Sequence, residues 1–321
     1  MRTMESITKP IVRESSEQAS FRAFCRSSIL VRVVRLVALV MGFLSNVVAN
    51  TQDDVDITQI SPNVLVFATG SGNVVASIGP DGTLLVGTPS VASTAQISTI
   101  LASRTRSNAR YVVIYPQNPA HSEGDAGWGQ RGAFIAMQEN ALERLGGHAM
   151  GPQRPLPPRL IELGAGRPRI AFSEVLTFDL NGEAIHIVHQ APGYSNADAV
   201  THFHVANLIY LGEVFPGDGY PEIDSSQGGK LDGLLKQLVW TGSTIHIVPA
   251  RGKVTSGVDV KAFKGMIMTV RDRVEQMIVA GATEDQIVAK HPTRDFDARW
   301  GQGRVSPDAF VHEIYSAVKW K

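Results

Sequence analysis

The residues of this sequence with the most useful chemistry are His121, Tyr194, Glu213 and Arg251, each of which follows a predicted strand. An imidazole and a carboxylate can hold a metal ion or accept a proton. A guanidinium carries a permanent positive charge and bonds in two parallel hydrogen bonds to a carboxylate or phosphate. Side chains of these four types can together hold a metal ion, move a proton or bind a polar ligand.

Alternation of apolar residues and the placement of turn residues predict the elements that position these side chains. Short Gly-rich turns at 70–72 and 80–82 separate the first strands, which are therefore antiparallel. Residues 152–169, rich in Pro and Gly, are predicted to be an exposed loop between two β-rich halves. With helices outside the sheets, the chain is expected to be an α+β protein, a four-layer αβ/βα sandwich. The predicted strands are 63–69, 73–78, 83–86, 111–115, 133–137, 175–180, 184–189, 200–205, 208–211 and 244–248, and the predicted helices are 92–104, 138–145, 231–240, 283–289 and 306 to the C-terminal end.

The first 49 residues have the pattern of a targeting segment. Seven basic residues precede an apolar run at 36–44, and Val47 and Ala49 are the small residues expected before cleavage at Asn50. Residues 1–49 are interpreted as a signal peptide or N-terminal targeting segment, and 50–321 as one domain with a sandwich core at 57–252 and a helical C-terminal part at 253–321. We expect an exported protein, periplasmic or secreted, that contacts a membrane only through the targeting segment.

The composition restricts the partners and the metal chemistry. The formal net charge is zero and no long block of like charges is present, which argues against nucleic acid as a partner. The only cysteine of the sequence, Cys25, lies in the predicted targeting segment. A metal site in the rest of the chain would therefore use His, Asp or Glu.

Several segments resemble the metallo-β-lactamase superfamily over about residues 57–300. That family has a hydrophobic strand leading into His-x-His-x-Asp-His, followed by segments that end in Pro-Gly-His-Thr, Thr-Gly-Asp and Val-Pro-Gly-His-Gly. The resemblance implies the sandwich fold and zinc-dependent hydrolysis. The matching segments here are YVVIYPQNPAHSEGD at 111–125, QAPGYS at 190–195, YLGE at 210–213 and VPARG at 248–252, together with the entry hairpin GPDG at 79–82.

The resemblance also implies where two metal ions would be held. The positions for the first metal carry Pro116, Asn118 and Tyr194, those for the second carry Ala120, His121 and Arg251, and Glu213 takes the place of the bridging aspartate. Only His121 and Glu213 keep ligand chemistry, with Asp125 or Asp218 as a candidate third ligand, whereas hydrolytic zinc uses about three protein ligands. We therefore predict a dismantled site and no cofactor, zinc being the cofactor if a residual site remains.

Two arrangements of Arg251 are compatible with the sequence. In the first, Arg251 faces Glu213, and their salt bridge joins the former metal loops without zinc. In the second, Arg251 points to solvent and Glu213 is an exposed loop acid. The first arrangement predicts a cleft of Asn118, His121, Tyr194, Glu213 and Arg251 that binds a small anionic or polar ligand.

Two further patterns have weaker support. Residues 193–197 approach the Gly-x-Ser-x-Gly elbow around Ser195, but the last Gly and the following helix are missing. His202 and His204 alternate along a strand and share one face, which suits a metal but is more typical of a half-exposed strand.

The predicted function is therefore that of a non-catalytic pseudoenzyme that binds a small anionic or polar ligand or a protein partner. The alternative is a hydrolase with one residual metal, or with metal-free acid–base chemistry in which His121 is the base and Tyr194 polarises the substrate.

Overall fold

Two β-sheets with helices on their outer sides form the part of the chain that the computed structural model describes, residues 55–87, 89–105, 108–115, 122–146 and 158–319. Asn118, His121 and the predicted targeting segment lie outside these ranges.

The first sheet has seven strands in the order of the sequence. Its first four strands are antiparallel, and its last four run parallel. Every residue of the third and fourth strands is buried, because both faces of the sheet are covered. The strands are β1 (Asp56–Ser61), β2 (Val64–Ala68), β3 (Asn73–Ser77), β4 (Thr83–Val86), β5 (Ala109–Ile114), β6 (Phe134–Gln138) and β7 (Ile170–Phe172).

The second sheet has six strands in the order β13-β12-β11-β10-β9-β8. Only β11 and β12 pair in parallel, and all other neighbours are antiparallel. The strands are β8 (Val175–Leu180), β9 (Glu183–His189), β10 (Ala199–Phe203), β11 (Leu208–Gly212), β12 (His246–Pro249) and β13 (Thr255–Ser256).

The helices cover the outer sides of the sheets. They are α1 (Val91–Thr105), α2 (Ser122–Gln130), α3 (Glu139–Arg144), α4 (Pro158–Glu162), α5 (Leu231–Gln237), α6 (Gly257–Val279), α7 (Glu284–Val288), α8 (Asp297–Trp300) and α9 (Pro307–Lys319), with 3-10 turns at Gly164–Gly166 and Ser225–Gln227.

Three layers of apolar side chains hold the elements together. Along β2, Val64 and Val66 point between the two sheets, whereas Leu65 and Phe67 pack with the helices of the first sheet. This period of two is what a strand buried on both faces requires. A third layer, around Phe263 of α6, joins the second sheet to its helices. The described chain is therefore the four-layer αβ/βα sandwich that the sequence predicted.

Most predicted elements agree with the structure to within a few residues, and two predictions need correction. The predicted loop at 152–169 is wrong at residues 158–166, because α4 and the turn Gly164–Gly166 are helical. The turn also packs on α2. Close packing explains this: a Cβ atom on Gly129 would lie only 1.8 Å from the carbonyl oxygen of Ala165. The helix predicted at 231–240 ends at Gln237. Helix α2 and the strands β1, β7 and β13 were not predicted. In the described ranges, no helix is long and apolar enough to span a membrane.

Candidate functional site

Arg251 and Glu213 lie at the carboxyl ends of two adjacent parallel strands of the second sheet, β12 and β11, because each residue follows one of these strands. The loops after these strands are joined along their backbones. The amide of Ala250 donates to the carbonyl of Phe215 at 3.0 Å, and that of Arg251 donates to Pro216 at 3.0 Å. Gly217 permits this approach, since it has a φ of 84° and a Cβ atom there would lie 2.3 Å from the Arg251 carbonyl.

The Arg251 guanidinium bonds to two carboxylates. Its Nη1 donates to both oxygens of Glu213, at 2.7 and 2.9 Å, and its Nε donates to Oδ2 of Asp218 at 2.8 Å. Arg251 is only 9% exposed. The structure therefore has the first of the two predicted arrangements, and the solvent-exposed Arg251 of the second is wrong.

Arg251 and the carboxylates around it carry a net negative charge. Burial lowers the pKa of Arg251, but attraction to Glu213 and bonds to both carboxylates more than reverse this, so the pKa is raised and the charge is permanent. One positive charge thus faces two carboxylates. Burial raises the pKa of the Glu222 carboxyl group, and the charges of Glu213 and Asp224 add to this effect. The charges of Arg304 and Arg251 oppose the shift.

Asn73 connects the Arg251 loop to the first sheet, a role that the sequence did not predict. Its Nδ2 donates to the carbonyls of Pro249 and Gly252, at 3.0 and 2.9 Å, and its backbone amide donates to Ala250 at 2.8 Å. Asn73 is 2% exposed. Its amide group thereby fixes the backbone on both sides of Arg251.

Asp198, which sequence reasoning also missed, organises the loop that carries Tyr194. Its buried carboxylate accepts from the backbone amides of Gly193, Tyr194 and Ser195, from the Ser195 hydroxyl and from Nε2 of Gln237, all within 2.9 Å. Burial raises the pKa of Asp198, and these donors oppose that shift. The position of Asp198, shortly after the turn at residues 190–195, was the feature of the sequence that could have indicated this role.

Ser195 has a structural role in this loop. It is fully buried, donates its hydroxyl proton to Asp198 and accepts from the Ala197 amide at 3.1 Å. A Ser nucleophile needs a base to take its proton. Asp198 is already saturated by donors, so the weakly supported nucleophile elbow is not formed.

Tyr194 and Glu213 line one small cavity together with Tyr115, Asp198, Ala199, Leu211 and Val214. The space available to the centre of a water molecule is only about 10 Å³, roughly enough for one water. Within the described part of the chain, no hydrogen bond is made by the Tyr194 hydroxyl. Burial, Glu222 and Glu213 raise its pKa, so the hydroxyl stays protonated. By contrast, the hydroxyl of Tyr115 bonds to that of Thr201.

The described residues do not fit a dinuclear zinc centre. Tyr194 and Arg251 stand at two of the ligand positions that the resemblance implied, and Glu213 uses both oxygens to bind Arg251. Among the residues that the structure describes, no three His, Cys, Asp or Glu are grouped to hold a metal ion.

The remaining candidate residues lie in three places: outside the described ranges, at Arg251 itself, and within α2. Asn118 and His121 lie outside the described ranges, so the cleft of five residues stays a prediction. Asp218, a candidate metal ligand, binds Arg251 instead. Asp125 is buried in α2, where burial raises its pKa and its Oδ1 has no hydrogen-bond partner.

His202 and His204 do share one face, as predicted, and His186 of the next strand joins them. Nε2 of His204 lies 3.0 Å from Nδ1 of His186, and the rings of His202 and His204 are 3.8 Å apart. Burial and the two neighbouring imidazoles lower the pKa of His202.

No protein-family model and no curated protein matches this chain, whereas solved structures do. A metallo-β-lactamase from Pontibacter korlensis has 12% sequence identity and a TM-score of 0.50, with 66% of this chain and 99% of that chain covered. The DIM-1 metallo-β-lactamase has 11% identity and a TM-score of 0.51, covering 66% and 96%. The stereoselective inverting sec-alkylsulfatase Pisa1 from Pseudomonas sp. has 12% identity and a TM-score of 0.56, covering 82% and 50%.

These similarities establish the class of fold. The chain has the metallo-β-lactamase fold, which its motifs implied from the sequence. At 11–12% identity, the neighbours establish no activity for it, since one fold carries many chemistries.

Proposed function

We propose that this protein is a non-catalytic binding protein in which Arg251 replaces metal ions as the positive charge that joins the loops. The observation that carries the proposal is the buried Arg251 guanidinium, with bonds of 2.7 and 2.9 Å to Glu213 and 2.8 Å to Asp218. Zinc drives hydrolysis by binding water and lowering its pKa. A guanidinium has no open coordination position, so this replacement supplies charge without an activated water.

The proposed ligand is small and polar, and it binds at the cleft beside Tyr194 and Glu213. Two carboxylates already neutralise Arg251, which favours a ligand with hydroxyl or amide groups over an anion. The protonated Tyr194 hydroxyl can donate to such a ligand or accept from it. Because the cavity behind it holds about one water, the ligand would lie outside that cavity. Asn118 and His121 are included on the basis of their sequence positions alone.

The metal content of the full chain tests the first half of this proposal. The protein is purified without chelator, incubated with zinc, manganese or iron, desalted and examined by elemental analysis. We expect no stoichiometric metal. One metal per chain in the parent protein, lost in a Glu213→Gln variant, would instead support the hydrolase that uses a residual metal.

Ligand binding tests the second half. A polar compound that binds the parent protein should bind a Tyr194→Phe variant about tenfold more weakly, since a lost hydrogen bond of about 1.4 kcal/mol has that effect. Tyr315→Phe, in α9, is the matched control and should bind normally. If both variants bind every compound found with equal affinity, the ligand does not bind at Tyr194. It would then bind at another site, or the partner would be a protein.

Turnover separates the proposal from metal-free hydrolysis. We expect no hydrolysis of β-lactams or sulfate esters above the uncatalysed rate, with or without chelator. Hydrolysis that persists after exhaustive chelation and disappears in His121→Ala would overturn the non-catalytic assignment.

A further inference from the structure

A cavity that is separate from the Arg251 site lies between α9 and the segment that leads into α5. Its volume is about 600 Å³, within the range of about 300–1,000 Å³ typical of small-molecule sites. The lining combines apolar and polar side chains and consists of Ile223, Ser225, Gly229, Lys230, Leu231, Asp232, His312, Glu313, Ser316 and Ala317.

Glu313 is the acidic group of α9 in this cavity. Its Oε2 accepts from the Ile223 amide at 3.1 Å. Burial raises the pKa of the carboxyl group to about 8, and the charges of Glu222 and Asp224 add to this effect, whereas the Ile223 bond opposes it. A positive charge placed beside such a carboxyl group stabilises its ionised form.

Within the described residues, no cation forms an ion pair with Glu313. His312 is directed to Glu284, with its Nδ1 2.6 Å from the carboxylate. Lys230 lines the cavity but is exposed and forms no salt bridge with Glu313 in the described structure. The cavity therefore combines apolar contacts with an acid that has no ion pair among the described residues.

We propose that this cavity binds a small organic cation, an ammonium group on a short apolar chain, with Glu313 as the counter-ion and Leu231 and Ala317 as apolar contacts. The site is distinct from the cleft at Tyr194, and it does not depend on the function proposed for that cleft. Binding ionises Glu313 and releases a proton, which makes the affinity for a permanently charged ligand depend on pH.

The test compares three probes of similar chain length, hexyltrimethylammonium, hexanol and hexanoate, on the full chain by calorimetry. The fixed charge of hexyltrimethylammonium keeps its own titration out of the result. We expect this probe to bind most tightly, with a Kd that falls at least about tenfold from pH 6 to pH 8, as proton linkage requires. A Glu313→Gln variant, which keeps an acceptor for the Ile223 amide, should lose both the cation preference and the pH dependence.

Asp308→Asn is the matched control, because it removes one negative charge from α9 at a residue outside the cavity. It should behave as the parent protein does. Backbone amide shifts measured on the unmutated protein make the test independent of how the variants fold, and the probe should perturb residues 223–232 and 312–317. No binding by any probe, a preference for hexanoate, or equal binding by Glu313→Gln would each overturn the proposal.

Discussion

Replacing Arg251 with methionine would show how much the guanidinium contributes to stability. Methionine keeps much of the apolar side chain and removes the charge. The change leaves the side chains of Glu213, 14% exposed, and Asp218, 36% exposed, without their counter-ion. Removing one partner of a buried ion pair costs about 3–5 kcal/mol. We expect a loss near the lower end, about 3 kcal/mol, because water still reaches Asp218.

A double-mutant cycle separates the ion pair from other effects of the substitution. Glu213→Gln leaves Arg251 bound to Asp218 and should cost less, about 1–2 kcal/mol. The double variant should be more stable than the sum of the single changes indicates, with a coupling energy of about 2 kcal/mol. The free energy of unfolding is measured for each protein by urea denaturation at pH 7.

Arg271→Met is the control for this cycle, since Arg271 pairs with the exposed Asp272 on α6. Exposed pairs contribute about 0–1 kcal/mol. If Arg251→Met costs no more than this control, or if the Arg251 and Glu213 changes are additive, Arg251 does not hold the two loops together.

Two further predictions concern other buried or clustered groups. Asp198→Asn should lower the free energy of unfolding by at least about 3 kcal/mol, because either orientation of the amide places an NH₂ group against donors. The control Asp179→Asn, at an exposed residue, should change the free energy of unfolding little. Urea denaturation compares the two variants. His202 has a lowered pKa in the folded state, so the unfolded chain takes up its proton first as pH falls, and folded stability is lost below pH 6.5. His202→Gln should lose less stability between pH 7.5 and 5.5 than the parent or a His246→Gln control; equal losses in all three would show that the imidazole cluster is not responsible.

Most local elements could be predicted from sequence, because their causes are local. Asn181-Gly182 illustrates this: both residues have positive φ, 58° and 74°, as the tight turn between β8 and β9 requires. Thr283 likewise caps α7, with Gln286 completing a capping box. The order of these elements and the resemblance to the metallo-β-lactamase superfamily then indicated the fold, although only the structure showed the helical segments Pro158–Glu162 and Gly164–Gly166.

The sequence by itself determined which residues stand at the positions where the resemblance implies metal ligands, and that two of them, Tyr194 and Arg251, are poor zinc ligands. It left open where the Arg251 guanidinium points. Tertiary structure decided this, because the partners come from different segments: Asn73 reaches the carbonyl of Pro249 across 176 positions in sequence, and Asp218 joins Arg251 across 33. The positive charge of Arg251 is set by the chemistry of its guanidinium. Its partners are set by how the two sheets and their loops pack, and that packing depends on the whole core.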